Sequence, residues 1–330
     1  MNPFVFIVGC PRSGTTLLQR IVNAHPQIAI TPETHWIPRF FKKRKGLTSE
    51  GVVTPKLISG LLEEPRFTRL GIGREELLAM TAGGRPVSYA SLVTAIFDSY
   101  GKAQGKALVG DKTPGYVRRM NTLHDLWPEA RFVHLIRDGR DVYLSMRHRP
   151  LHDPKVGLFD TWAEEPVLTA ALWWELNVRR GRKAGNSLGP GLYCEIRYES
   201  LVAHPREECE ALSAFLGLPY DDAMLRFNET QTKKKARRPI TPGLRDWRTQ
   251  MPAGDVERFE AAAGDLLEEL GYSRACLRPQ PEMLESVSRI RNLLSQDPVW
   301  IHDSRQRGVT DVNEVTSSTA IGSGDASVQG

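Results

Sequence analysis

The chain opens on an uninterrupted apolar run, Phe4-Val5-Phe6-Ile7-Val8, rich in β-branched and aromatic residues and closed by Gly9. A run of that length and composition reads as a strand buried on both faces of a parallel sheet. Leu17, Leu18, Ile21 and Val22 then recur at helical spacing until His25-Pro26 ends the pattern. Strand, glycine-rich turn and helix therefore follow one another directly. Further strands are predicted at 27–30, 106–109, 131–136 and 192–197, with helices at 89–100, 116–127, 141–149, 166–183, 205–216, 253–270 and 282–294. Strands alternating with helices predict an α/β fold, three layers with a central parallel sheet flanked by helices, and place ligands beyond the carboxyl ends of the strands.

The turn Gly9-Cys10-Pro11-Arg12-Ser13-Gly14-Thr15-Thr16 is the first candidate site. A glycine-rich turn between a buried strand and a helix aims several backbone N–H groups at one point, where the helix dipole adds positive potential. Gly9 and Gly14 have the spacing of the nucleotide-binding P-loop, but Thr15 stands where the lysine is expected. ATPases and GTPases use that lysine, with Mg²⁺, on the transferring phosphoryl group, so a P-loop kinase or NTPase becomes the weaker alternative. Here the cation sits earlier, at Arg12, with Ser13, Gly14, Thr15 and Thr16 around a single phosphate.

Pro11 to Thr16 resembles the 5'-phosphosulfate loop of the sulfotransferases that use 3'-phosphoadenosine 5'-phosphosulfate (PAPS), a Pro-(Arg/Lys)-Ser-Gly-Thr-Thr pattern. The resemblance implies that this loop holds the phosphosulfate, that Arg12 neutralises charge on the bridging oxygen as the S–O bond breaks, that PAPS is the co-substrate and PAP the product, and that no metal is required. A second motif follows. The predicted strand 131–136 ends at Arg137, and Ser145 lies eight residues on, along the next helix. A strand-end guanidinium and a helical serine can converge on one phosphate, although Arg137 can equally pair with Asp138 or Asp141. The resemblance favours the first reading, because Arg137 and Ser145 match the family's 3'-phosphate motif.

Sulfuryl transfer also needs a base for the acceptor and positive charge for the leaving group. In Thr31-Pro32-Glu33-Thr34-His35-Trp36, both Glu33 and His35 are candidate bases. The tyrosylprotein sulfotransferases and related bacterial enzymes carry a Glu-Thr pair twenty-one residues after the loop arginine, and Glu33 stands twenty-one after Arg12, so that likeness selects Glu33. Lys112, in Gly110-Asp111-Lys112-Thr113-Pro114, is the candidate catalytic lysine. Tyr198 resembles the family's tyrosine near the nucleotide, and the stretch from Arg238 to Trp247, with Arg245, resembles a loop closing over PAPS.

Composition changes little. Of the 330 residues, 40% are hydrophobic and 25% charged, ordinary for an enzyme, and the formal net charge of +5 favours anionic partners without selecting one. The Lys233 to Arg238 run reads as a solvated loop, so nucleic-acid binding is the weakest alternative, and the partner expected is an acceptor bearing a hydroxyl: peptide tyrosine, carbohydrate, lipid or small metabolite. Cys10, Cys194, Cys209 and Cys276 lack metal-ligand spacing and read as thiols. With no apolar stretch long enough to span a membrane, a cytoplasmic location is expected; the sequence neither requires nor excludes a homodimer. The expected organisation is a sulfotransferase domain at 1–275, a helical extension at 276–315 and a disordered tail at 316–330.

Overall fold

A computed structural model describes residues 4–147, 159–229 and 240–296, apart from 84, 242, 244 and 277. Five strands, β1 (Val5–Gly9), β2 (Ile28–Thr31), β3 (Leu108–Lys112), β4 (Arg131–Ile136) and β5 (Tyr193–Arg197), form one sheet in the order β2-β3-β1-β4-β5. Every pairing in it is parallel. The helices follow in chain order. Before β3 come α1 (Thr15–Ala24), α2 (Ile37–Lys43), α3 (Pro55–Leu62), α4 (Arg74–Ala79) and α5 (Tyr89–Ala103). Between β3 and β5 lie α6 (Met120–Leu126), α7 (Gly139–Arg147), α8 (Thr161–Glu164) and α9 (Pro166–Leu188). After β5 come α10 (Tyr198–Ala203), α11 (Pro205–Leu216), α12 (Trp247–Gln250), α13 (Ala253–Glu269) and α14 (Pro281–Gln296).

β1 is the centre of the molecule because its alternating side chains feed both faces. Phe4, Phe6 and Val8 join a core with Trp36, Tyr89, Phe97 and Trp127, whereas Val5 and Ile7 join one with Leu18, Ile21, Leu201 and Phe227. A third cluster packs α7, α9, α13 and α14 together through Trp174, Phe259, Leu266 and Ile290. Each fully buried side chain of this size contributes about 1.5–3 kcal/mol of transfer free energy.

The chain leaves β1 for β2 and β3 on one side and then crosses to β4 and β5 on the other. The crevice at the carboxyl end of β1 is therefore the reversal point where open α/β sheets bind ligands. Close packing beside β1 is enforced at Gly110, where a Cβ would stand 2.4 Å from the Val5 carbonyl oxygen.

Three expectations are adjusted. β3 extends to Lys112 rather than stopping at 109, so Gly110, Asp111 and Lys112 are strand residues and not a loop. The single helix expected at 116–127 is a 3₁₀ turn, Pro114–Arg118, followed by α6, with Arg119 out of the helical region at φ −131° between them. The helix expected at 141–149 begins two residues earlier, at Gly139. All four cysteines are free thiols, and burial pushes the Cys10 thiol up to about 12. Among the described residues no helix is long and apolar enough to cross a membrane. The 316–330 tail and the Lys233 to Arg238 run lie outside the described residues, as does Arg238.

Candidate active site

The loop after β1 is held in a shape that side chains rarely adopt. Arg12 has φ 80° and Gly14 φ 97°, and Ser13 closes a turn from its N–H to the Cys10 carbonyl at 3.2 Å. A non-glycine residue in the left-handed region costs about 1–3 kcal/mol and persists where its surroundings impose it, commonly at binding sites. α1 starts at Thr15 with no side chain capping its first turn, which leaves its N-terminal amides for an anion. Ser13 Oγ is buried without a hydrogen-bond partner among the described residues. A buried hydroxyl with nothing to bond is costly, and an anion in the loop would relieve it.

Arg137 leaves the end of β4 almost wholly buried, 6% exposed. Its Nη2 donates to Asp141 Oδ2 at 3.2 Å, its guanidinium lies 4.2 Å from the centre of the Tyr198 ring, and its Nε has no hydrogen-bond partner among the described residues. The Tyr198 ring in turn covers Gly14, where a Cβ would come within 2.5 Å of the ring. Arg12 Nε donates to Ser145 Oγ at 3.2 Å across 133 residues. Contacts thus run from the first loop to both residues of the second motif. The two readings of Arg137 are compatible: the ion pair with Asp141 exists, and spare donor capacity remains.

Glu33 is placed by β3. Thr31 Oγ1 donates to Asp111 Oδ2 at 3.0 Å, the Thr34 N–H donates to Thr113 Oγ1 at 3.0 Å, and Thr34 Oγ1 shares a 2.7 Å hydrogen bond with the Tyr116 hydroxyl. These bonds clamp residues 31–34 onto the strand that carries Lys112. Lys112 Nζ donates to Glu33 Oε1 at 2.8 Å and to Thr16 Oγ1 at 3.3 Å, joining the Glu33 segment to the phosphate loop. His35, with φ 54°, places Nε2 2.9 Å from Glu33 Oε2, and Arg66 stands 3.7 Å from the same oxygen. Beneath them Asp111 is wholly buried, and burial pushes its carboxyl up to about 6 against the hydrogen bonds from Thr113, Thr34 and Thr31.

An open cleft of about 750 Å³ is lined by Thr16, Pro32, Glu33, Arg66, Arg69 and Lys112, among others. Arg12, Ser13, Gly14, Thr15 and Thr16 thus form one anion-accepting turn, with Arg137, Ser145 and Tyr198 on one side and Glu33 and Lys112 on the other. Arg66 and Arg69 belong to a region for which the sequence predicts no element. Their approach to Glu33 depends on how the segment between α3 and α4 folds back, and no local pattern signals it.

A P-loop turn without its lysine, a buried arginine at the end of β4, and a carboxylate–lysine pair between loop and cleft are the features of an α/β group transferase. A family model described as Sulfotransferase family matches residues 3–222, and the chain belongs to that family. Protein-tyrosine sulfotransferase 1 of Danio rerio is 26% identical over 313 residues, covering 88% of this chain and 79% of that one. The protein-tyrosine sulfotransferase of Drosophila melanogaster is 26% identical over 284 residues, 82% of this chain and 52% of its own length. In fold, the chain is similar to the sulfotransferase domain of the Synechococcus PCC 7002 olefin synthase, with TM-score 0.55, 23% identity, and 82% and 95% of the two chains covered. The sulfotransferase domain from the curacin biosynthetic pathway gives TM-score 0.56 at 19% identity, covering 83% and 99%.

Proposed function

We infer that this sulfotransferase takes its sulfuryl group from PAPS and delivers it to an acceptor hydroxyl, with Glu33 as general base. The observation that carries the reading is the Lys112 ammonium, which bonds Glu33 on the cleft side and Thr16 on the loop side. Base and anion site are held by one side chain.

The donor fits the residues present. Ser13 Oγ and Arg137 Nε are buried donors without hydrogen-bond partners among the described residues, and the first turn of α1 is uncapped. The loop from Arg12 to Thr16 would hold the phosphosulfate, Arg137 and Ser145 the 3'-phosphate, and Tyr198 the nucleotide between them. PAPS would supply an activated sulfuryl group, whose sulfur bonds to the acceptor oxygen as its S–O bond to the phosphate breaks and PAP leaves in line. Glu33 accepts the acceptor's proton, and general-base assistance of this kind is worth about 10²–10⁴-fold in rate. Arg12 and Lys112 present fixed positive charge to the departing phosphate and need no reorganisation as negative charge develops.

For the acceptor, the support is the likeness to proteins named protein-tyrosine sulfotransferases, which puts tyrosine peptides first among hydroxyl compounds. The test is incubation with ³⁵S-labelled PAPS and a panel of tyrosine peptides, glycans, lipid extracts and small phenols. Label should move to one class and not move with Glu33→Ala. Full transfer by a folded Glu33→Ala protein would remove Glu33 as the base.

A further inference from the structure

Asp141 sits where the second anion site meets α12. Its Oδ2 accepts from Arg137 Nη2 at 3.2 Å, and its Oδ1 accepts from the backbone N–H of Trp247 at 2.9 Å. One carboxyl therefore holds both the guanidinium at the end of β4 and the first residue of α12. Among the described residues, the neighbouring charges have partners of their own. Asp138 is bound twice by Arg140, which also pairs with Glu260 of α13 and lies 3.5 Å from the Trp247 ring centre. Tyr198 of α10 lies beneath Arg137 and interacts with Asp141 only weakly, through charge. Burial pushes the Asp141 carboxyl up to about 6, against the pull of Arg137 and with a further push from Asp138.

We propose that Asp141 is a proton-taking counter-ion for the donor's 3'-phosphate: it neutralises Arg137 in the empty site and takes up a proton from solvent when the phosphate arrives. The inference rests on the PAPS reading above. A phosphate bound to Arg137 stands beside Oδ2, and two anions sharing one guanidinium repel each other by more than thermal energy at such distances, even in bulk water. The carboxyl is the group that yields, because burial already disfavours its ionised form. Protonated at Oδ2, it can donate to a phosphate oxygen while Oδ1 still accepts from Trp247, so α12 stays anchored. No bond in the nucleotide breaks, and the proton comes from the buffer. Asp141 is thus a positioning residue that ties donor affinity to pH.

The test is calorimetric titration of PAP into the full chain, as wild type and Asp141→Asn, in two buffers of different ionisation heat. Wild type should take up a substantial fraction of a proton near neutral pH, and Asp141→Asn clearly less. A phosphate docking on a guanidinium releases protons, so net uptake reports on the carboxyl. Asp141→Asn should bind PAP about fivefold tighter than wild type near pH 7.5, and the ratio should fall toward one near pH 5.5. Equal proton uptake by the two proteins, or a ratio that does not change with pH, overturns the proposal; a merely structural role gives the second result. If the variant does not fold, wild type alone decides: uptake must be larger with PAP than with adenosine 5'-phosphate, and equal uptake refutes the role. Failure of wild type to bind PAP defeats the donor reading itself, and is told apart because no titration then exists to compare.

Discussion

Lys112 Nζ donates to Glu33 Oε1 at 2.8 Å, although the two residues are 79 positions apart, one at the end of β3 and the other in the connection after β2. The lysine is almost fully buried, its side chain 5% exposed, and the glutamate is 25% exposed toward the cleft. The pair is therefore an inner cation holding an outer carboxylate, the base of the proposed reaction. Its removal should show as non-additivity. Lys112→Ala and Glu33→Ala should each lower kcat by about 10²-fold or more, while the double variant is little worse than either alone. Additive losses in a steady-state double-mutant cycle would mean that the two side chains act separately.

Arg137→Ala should weaken PAP binding far more than binding of adenosine 5'-phosphosulfate, which has no 3'-phosphate. Loss of a charge-assisted, buried contact predicts about tenfold or more for PAP. Equal losses for the two nucleotides by titration calorimetry would move the 3'-phosphate elsewhere.

Asp111 supplies a pH-dependent signature of the β3 clamp. Its carboxyl is raised from 3.8 to about 6 by burial, so the folded state holds its proton more tightly than the unfolded chain does. The stability this gives is fully present below pH 3.8 and is lost as pH rises through about 6. Asp111→Asn cannot ionise. The Tm difference, variant minus wild type, should therefore become more favourable between about pH 5 and about pH 7. A constant difference across that range would show that Asp111 does not change protonation on folding.

The buried network behind α7 should matter for folding. Arg140 is fully buried and bonds Glu260 at 2.5 Å, while Glu260 also accepts from the N–H groups of Ala275 and Cys276. Glu260→Ala leaves the buried Arg140 guanidinium with Asp138 as its remaining partner and strips two amides of their acceptor, at a cost of about 3 kcal/mol. Chemical denaturation should show that loss, whereas Arg206→Ala, which removes an exposed pair with Asp222, should leave the midpoint almost unchanged.

How far the sequence spoke for itself depended on whether local chemistry agreed with tertiary context. β4 lies at 131–136 as read and α11 at 205–216, because each combines a simple apolar pattern with clear stops. The turn between β1 and α1 was legible for the same reason, since glycines at fixed spacing have a backbone cause. β3 was cut short because Asp111 and Lys112 look like loop residues. They are strand residues whose charges meet Thr31 and Glu33 on neighbouring segments. The break at Arg119 was hidden because Tyr116 continues a helical pattern in sequence, whereas its hydroxyl is committed to Thr34 and to the Ile37 N–H. Arg66 could not be read at all: nothing near it in sequence points to Glu33.

Gly9 of β1 pairs in register with Leu135 of β4, so the phosphate loop and the Arg137 turn leave adjacent strands at nearly the same height. Neighbouring strands lie about 4.8 Å apart whatever their side chains. The sheet is in this sense a gauge, with the separation of the two proposed anion sites written in the backbone. Substitutions around Arg66 and Arg69 can re-tailor the cleft without touching that gauge. On the proposed reading, descendants of this chain can therefore change what they modify while keeping what they modify it with.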